Sequence, residues 1–317
     1  VVFAAAASQP QYSPGSRDPD RITRATPLKR PGANQPPPAR SVDRRWVDRH
    51  IEDRVHRETD LVTVEEPLEI RVVAEVDGRR TRRSVAVTMR TPGQDLELAA
   101  GFLVSEGVVR HPDDLWRVEH CRDDNDAAAE NVVEVHLAPT VEFDLEQLSR
   151  NVLTSSACGI CGRSSIESVQ QICTARPLGK FRLTPREIAR LPASLEESQG
   201  VFPHTGGIHA AALLAPTGEL LVLREDIGRH NALDKLVGKV LVDGGLPAGE
   251  TLVVVSGRAS FELVQKSLLA GIPMLAAVGA PSSLAVDLAT EFGMTLIGFL
   301  KRDRFNVYCG GDRVLGG

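Results

Sequence analysis

Thr251-Leu-Val-Val-Val-Ser-Gly-Arg-Ala-Ser-Phe-Glu-Leu-Val-Gln-Lys-Ser-Leu-Leu-Ala-Gly-Ile-Pro-Met-Leu-Ala-Ala-Val278 reads as strand, helix, strand. Leu252 to Val255 is an unbroken apolar run, as expected of a strand covered on both faces. Phe261, Val264, Leu268 and Leu269 recur at helical spacing, and Gly271 supplies a stop. The pattern then repeats. Met274 to Val278 is a strand, Leu284, Leu288 and Phe292 mark a helix face, and Met294 to Leu300 is another strand. Such alternation predicts an α/β layered sheet with right-handed crossovers. Sheets of this kind take ligands beyond the carboxyl ends of their strands. Ser256-Gly-Arg258-Ala-Ser260, Gly279-Ala-Pro-Ser282-Ser283 and Lys301-Arg302-Asp-Arg304 fall there, and two of the three are basic, which suits a phosphate-bearing ligand.

Just upstream, Ile208 to Leu214 and Leu220 to Leu223 are apolar runs joined by the turn Pro216-Thr-Gly218-Glu. Leu233, Leu236, Val237, Val240 and Leu241 form one face of a helix opened by Arg224-Glu-Asp226-Ile-Gly-Arg229-His230-Asn231. Further back, two β-rich runs, Leu68 to Val76 and Ser84 to Met89, flank the hairpin signal Asp77-Gly78. Leu96, Ala99, Ala100 and Leu103 follow at helical spacing, with Gly107 as the stop, and Val132 to Leu137 is another strand. The expected organisation is a Pro/Arg-rich disordered tail over 1–58, a small α+β domain over 60–140, a loop and connector over 141–193, and the layered α/β domain over 194–317. The tail carries 11 basic and 8 acidic residues through Asp60, leaving 26 against 34 in the remainder.

Composition narrows the function classes. Apolar content of 42% and charged content of 25% are those of a globular protein. A net charge of -5 with 4% aromatics disfavours a nucleic-acid binder. No run is long and apolar enough for a membrane helix, and the opening Val-Val-Phe-Ala-Ala-Ala-Ala lacks the basic start of a signal peptide. Five cysteines, two of them closely spaced, fit a reducing cytoplasm better than a disulfide framework.

That spaced pair is Cys158-Gly-Ile-Cys161-Gly162-Arg163, followed by a capping-box signature at Ser164 and Glu167. Thiols just ahead of a helix N-terminus and beside an arginine are favoured as thiolates. Three readings compete. Structural zinc wants four ligands, and no second Cys-x-x-Cys exists. A thioredoxin-like dithiol should open a long helix early in a βαβ fold, whereas this pair is mid-chain. Sulfur carriage as a persulfide is the third, and the pair alone does not choose among them.

Six segments carry a resemblance. They are Ala100-Gly-Phe-Leu-Val-Ser-Glu-Gly107, Cys158-Gly-Ile-Cys-Gly162, Gly207-Ile-His209-Ala-Ala, Glu225-Asp-Ile-Gly-Arg-His230-Asn-Ala-Leu-Asp-Lys235, Ser256-Gly-Arg-Ala-Ser-Phe-Glu-Leu-Val-Gln-Lys266 and Arg304-Phe-Asn-Val-Tyr308. In that order they resemble the formate dehydrogenase accessory sulfurtransferases, the FdhD family, from about 61 to 309. The resemblance implies a cytidine-deaminase-like C-terminal domain and a homodimer. It also implies a sulfurtransferase that takes sulfane sulfur from a cysteine desulfurase and passes it to the molybdenum or tungsten bis(molybdopterin guanine dinucleotide) cofactor of formate dehydrogenase. By position, Cys158 would bear the persulfide and Cys161 would be the second thiol. The cofactor-binding stretch would be Phe299, Leu300, Lys301, Arg302, Asp303 and Arg304. The alternative is a cofactor chaperone whose cysteines hold metal.

Deaminase chemistry is disfavoured. It requires His-x-Glu upstream of a Cys pair, but His209 is followed by Ala210 and Ala211, and the pair precedes it. His209 reads either as a core histidine or as lining for the cofactor pocket. Glu225, Asp226, Arg229 and His230 read as helix capping or as ligand contacts. Arg258, flanked by Ser256 and Ser260, is the favoured phosphate contact. Cys173 reads as a buried small hydrophobe, and Cys121 and Cys309 have no partner at a diagnostic spacing.

Overall fold

The computed structural model describes residues 40–76, 78–121, 129–141, 166–167, 169–170, 172–173 and 179–316. Strands β1 (Val42–Ile51) and β2 (Arg54–Thr63) pair as an antiparallel ribbon. Strands β3 (Glu66–Val76), β4 (Arg79–Arg90), β5 (Leu115–His120) and β6 (Val132–Leu137) build a four-stranded sheet in the order β4-β3-β6-β5. The ribbon corrects the expectation of disorder for 42–58, and residues 1–39 of the expected tail lie outside the described residues. It is charged along most of its length and largely exposed, so it shows little apolar periodicity, yet Arg49 pairs with Glu58 at 2.6 Å and Arg57 stacks over Trp46. The expected hairpin joins β3 to β4, with Val76 paired to Arg79 and Gly78 at φ 69, while Asp77 lies outside the described residues. Helix α1 (Asp95–Ser105) ends where Gly107 takes a positive φ of 75, as the sequence implies.

In the second half, α2 (Pro185–Ile188), α3 (Leu191–Glu196) and α4 (Phe202–Thr205) precede the hairpin of β7 (His209–Leu214) and β8 (Leu220–Asp226). Then come α5 (Arg229–Val242), β9 (Leu252–Val255), α6 (Phe261–Leu269), β10 (Met274–Ala277), α7 (Ser283–Glu291), β11 (Thr295–Gly298) and β12 (Asn306–Cys309). The six-stranded sheet runs β12-β11-β10-β9-β7-β8, with β9, β10 and β11 parallel. The predicted α/β layering is therefore present. Apolar residues point to both faces of this sheet because both are covered. Ala210, Val254, Met274 and Ile297 pack against Ile188, Leu191 and Leu195, while Ala211, Val253, Leu275 and Leu296 face α5, α6 and α7.

The division at 60–140 and 194–317 corresponds to two sheets but not to two cores. Leu68, Ile70, Val133 and Val135 of the small sheet join Leu98 and Leu103 of α1 and Leu233, Leu236 and Val237 of α5 in one continuous apolar cluster. Helices α1 and α5 approach so closely that only glycine fits at their crossing. A Cβ on Gly101 would lie 1.9 Å from the Asp234 carbonyl oxygen, and one on Gly238 would lie 1.8 Å from that of Glu97. Charged groups close the same seam. Arg90 is buried and grips Asp95 through two hydrogen bonds of 3.1 and 3.0 Å. Lys235 lies 2.7 Å from Asp226 and donates to the Thr91 carbonyl at 2.8 Å, while Thr91 N–H donates back to Asp226.

A methyl group at the crossing must push the helices apart. Gly101→Ala and Gly238→Ala are each expected to destabilise the protein by about 3 kcal/mol or more, despite alanine's better helix propensity. Gly249, where a Cβ would meet nothing within 4 Å, is the control, and Gly249→Ala should be neutral in urea denaturation. A neutral Gly238→Ala would refute the close crossing.

Candidate functional site

The carboxyl ends of β9, β10 and β11 lie side by side, and β7, running antiparallel to β9, begins at the same edge. His209, the first residue of β7, has Nδ1 3.5 Å from Ser256 Oγ, which also accepts the Ala210 N–H at 2.9 Å. Burial, followed by the charges of Arg229 and His230, pushes the His209 imidazole below its ordinary range, so it is neutral at pH 7. Arg229 opens α5 beside it, and its buried Nε has no hydrogen-bond partner among the described residues. Gly257 separates the two side chains, since a Cβ there would lie 3.4 Å from His209 Nδ1 and 3.7 Å from Arg229 Cδ. Arg258 is exposed and forms no ion pair with a described residue. Together these groups leave two guanidinium edges available to an anion.

The 299–304 stretch divides. Phe299 is exposed and held at φ 52, a left-handed conformation that costs about 1 kcal/mol outside glycine, and its N–H donates to Gly279. Leu300 is a correction: its side chain is 1% exposed and packs in the core beneath the sheet, so it cannot touch a ligand. The left-handed turn at Phe299, just past the end of β11, leaves the ring outside and returns Leu300 to the core. Lys301, Asp303 and Arg304 are exposed in a turn closed by Lys301 N–H to the Arg304 carbonyl. Arg302 pairs with Glu196 on the surface at 2.7 Å.

The helix-opening cluster divides as well. Glu225 accepts the N–H groups of Gly200, Val201 and Phe202, and Asp226 is the buried partner of Lys235, so both hold the fold. Arg229 and His230 remain at the site. His230 Nε2 lies 2.8 Å from Glu262 and 3.2 Å from Ser260 Oγ. Burial works against ionised Glu262, but its hydrogen bond to His230 and the charges of His230, Lys266 and Arg229 hold its carboxyl below the ordinary range.

Glu262 belongs to a feature the sequence did not announce, a cavity of about 390 Å³ bounded by the small sheet and helices α1, α5 and α6. Ile70, Ala86, Leu98 and Phe102 are apolar lining, and Glu106, Asp234, Glu262 and Lys266 are charged lining. Asp234 accepts from Ser105 at 2.6 Å and from Lys266 at 2.8 Å through each oxygen. Glu106 forms no hydrogen bond or ion pair with a described residue, and burial, with the charges of Asp234 and Glu262 adding and Lys266 opposing, pushes its carboxyl up to about 7. These residues come from three segments far apart in the chain, and no spacing rule joins them.

Cys158 and Cys161 lie outside the described residues. Of the residues that follow them, 166–167, 169–170 and 172–173 are described. Ile172 packs so closely on Gly107 that a Cβ there would lie 2.1 Å from its methyl, Val169 is buried, and Gln170 bonds Glu291 at 3.1 Å. Cys173 is buried in the main core against the Leu268 carbonyl, as its periodicity suggested. Gln170, Ile172 and Cys173 thereby contact α7, the end of α1 and α6 in turn.

A family model described as the FdhD/NarQ family matches residues 63–315. The chain belongs to this family. A protein of Streptomyces coelicolor named sulfur carrier protein FdhD is 50% identical over 281 residues, covering 87% of this chain and 96% of that protein. One of Mycobacterium tuberculosis with the same name is 45% identical, covering 84% of this chain and 96% of its own. A crystal structure of a Desulfotalea psychrophila protein, named as a candidate formate dehydrogenase accessory protein, superimposes with a TM-score of 0.68 at 23% identity, covering 87% of this chain and all of that one. Its likeness shows that the mixed α/β fold is that of this family's solved structure. Among the described residues no helix is long and apolar enough to cross a membrane.

A carboxyl group that keeps its proton to about pH 7 when folded, and to about 4.5 when unfolded, makes the native state bind more protons between those values. Stability therefore falls as pH rises through that window. Glu106→Gln is expected to change stability little below pH 4.5 and to raise it by on the order of 2 to 3 kcal/mol at pH 8. The same urea midpoint shift at both pH values would refute the buried carboxyl.

Proposed function

We propose that this chain is a sulfurtransferase of the carrier type. It accepts sulfane sulfur from a cysteine desulfurase as a persulfide on Cys158 and delivers it to the bis(molybdopterin guanine dinucleotide) molybdenum cofactor destined for formate dehydrogenase. Membership of the FdhD/NarQ family and the name of its relatives support the carrier reading. One structural observation is consistent with thiols and cofactor meeting on one side of the molecule: Ile172 and Cys173, downstream of the Cys pair, pack on Gly107 and on the last turn of α6, the helix opened by the turn of Ser256, Arg258 and Ser260.

In this reading the Cys158 thiolate attacks the outer sulfur of the desulfurase persulfide. The sulfur–sulfur bond breaks, the donor cysteine leaves as thiolate, and Cys158 carries the added sulfur with no change in overall oxidation level. Release as sulfide requires two electrons. Attack of Cys161 on the inner sulfur supplies them, forming a disulfide with Cys158 as sulfide departs. Phosphates of the substrate cofactor lie against Arg258 and Arg229, with Phe299, Lys301, Asp303 and Arg304 at the adjoining strand end. The protein acts as a homodimer in the cytoplasm.

Mass spectrometry after incubation with a desulfurase and cysteine should find one added sulfur atom on Cys158, absent from Cys158→Ala, and that variant should fail to activate formate dehydrogenase. Full activation by Cys158→Ala, or stoichiometric zinc bound by both thiols, refutes the carrier. Calorimetry with guanosine diphosphate should show Arg258→Ala about tenfold weaker than the parent, the loss of one charge-assisted contact.

A further inference from the structure

We propose that the open edge of the small sheet, strand β4 over residues 79–84, is a docking site for an acidic extended segment of a partner protein, which joins the sheet as a further strand. The proposal goes beyond the sulfur-carrier reading and does not rest on it. Strand β4 ends the order β4-β3-β6-β5, and no described strand pairs with its outer side. Such an edge presents unpaired N–H and C=O groups to an incoming strand. Its two halves differ. Toward the end of β4, Asn231 Nδ2 donates to the Met89 carbonyl at 2.8 Å, and the register with β3 shifts between Ile70 and Arg71. The first half, 79–84, keeps a regular ladder against 71–76 and is exposed apart from Thr81. That is about the length of an ordinary strand.

Charge selects the occupant. Arg79-Arg80-Thr81-Arg82-Arg83 places four guanidinium groups together in a chain whose net charge is -5. Nearby carboxylates do not cancel them. Arg82 pairs with Glu134 at 2.8 Å, whereas Arg80 lies over the Trp116 ring and bonds His136. Arg79 and Arg83 pair with no carboxylate among the described residues. Alternation puts these two on one face, opposite Val76 and Val72, and Arg80 and Arg82 on the other, opposite Glu75 and Val73. A strand with carboxylates at alternate positions meets Arg79 and Arg83 together. Apolar side chains between them lie beside the methylene stems of Arg80 and Arg82.

Other occupants fit less well. A second copy of this chain, paired edge to edge, would set arginine against arginine. For a nucleic acid, arginines divided between two faces form no single stripe along a phosphate backbone. Charges on an edge guard against indiscriminate pairing, and here the guard has one sign, so it repels basic strands and admits acidic ones.

The test is fluorescence anisotropy on the full-length chain with an end-labelled peptide of about eight residues that alternates glutamate and valine. It should bind, more weakly as salt rises, and its lysine–valine counterpart should not. Arg79→Glu with Arg83→Glu should weaken the glutamate peptide about tenfold or more, while Arg79→Lys with Arg83→Lys should keep most of the affinity. Both positions are exposed, so neither pair of changes disturbs the core. Methylating alternate backbone nitrogens of the peptide strips the donors from one edge, so one of the two alternate sets should abolish binding and the other spare it. Equal binding by both methylated peptides, or by the lysine counterpart, overturns strand addition. A glutamate peptide that does not bind, or whose affinity the charge reversal leaves unchanged, overturns the docking site. If the charge reversal instead dissociates the chain in sedimentation, the edge serves a second copy, and if a single-stranded oligonucleotide binds there more tightly than the peptide, it serves nucleic acid; either result refutes the proposal.

Discussion

The crossing of α1 over α5 at Gly101 and Gly238 is the constraint on which the rest of the molecule depends. Two helices can bring their backbones this close only where neither carries a side chain, and here each glycine faces a carbonyl of the other helix. The crossing brings the small sheet down onto the helical layer of the large one. The small sheet and the α5–α7 face of the large one therefore share a single apolar cluster. It also fixes the space beside the contact, so the cavity bounded by Phe102, Asp234 and Lys266 follows from the helix approach.

The seam is closed by ions with unequal demands on their surroundings. Arg90 with Asp95, Lys235 with Asp226, and Lys266 with Asp234 are all buried or nearly so. Such pairs contribute little net stability over an apolar alternative, but removing one partner strands the other, so they act to hold a single arrangement. The third pair lies in the cavity wall. Burial raises the Glu106 carboxyl to about 7, and the charge of Lys266, which is bonded to Asp234, opposes that shift only in part. Cations that are not consumed in this way, Arg229 and Arg258, stand at the strand ends. The molecule thus separates an acceptor-rich region from a donor-rich one across His230.

Much of the large sheet is legible in the chain because its strands are buried on both faces. Leu252 to Val255 needs no partner to be recognised. The ribbon of β1 and β2 is the opposite case. Its pairing is stabilised by cross-strand ions and a single Trp46–Arg57 stack, and such residues carry no hydrophobic period. Strand β5, with Trp116 facing outward, escapes for the same reason. Leu300 illustrates a finer limit. Past the strand end the chain turns at Phe299 and buries Leu300, so the continuous stretch 299–304 does not face one side throughout.

By itself the sequence determined the α/β layering, the thiol pair at Cys158 and Cys161, the basic strand-end segments and the family, since each rests on neighbours in the chain or on short motifs. Only the tertiary structure decided that Glu225 and Asp226 serve the fold while Arg229 and His230 face the site, and that Glu106, Asp234 and Lys266 share one cavity. The reason is physical. A charge's role depends on what it meets in the fold: Glu225 meets the backbone N–H groups of 200–202, Asp226 meets Lys235, and Asp234 meets Lys266 across α5 and α6.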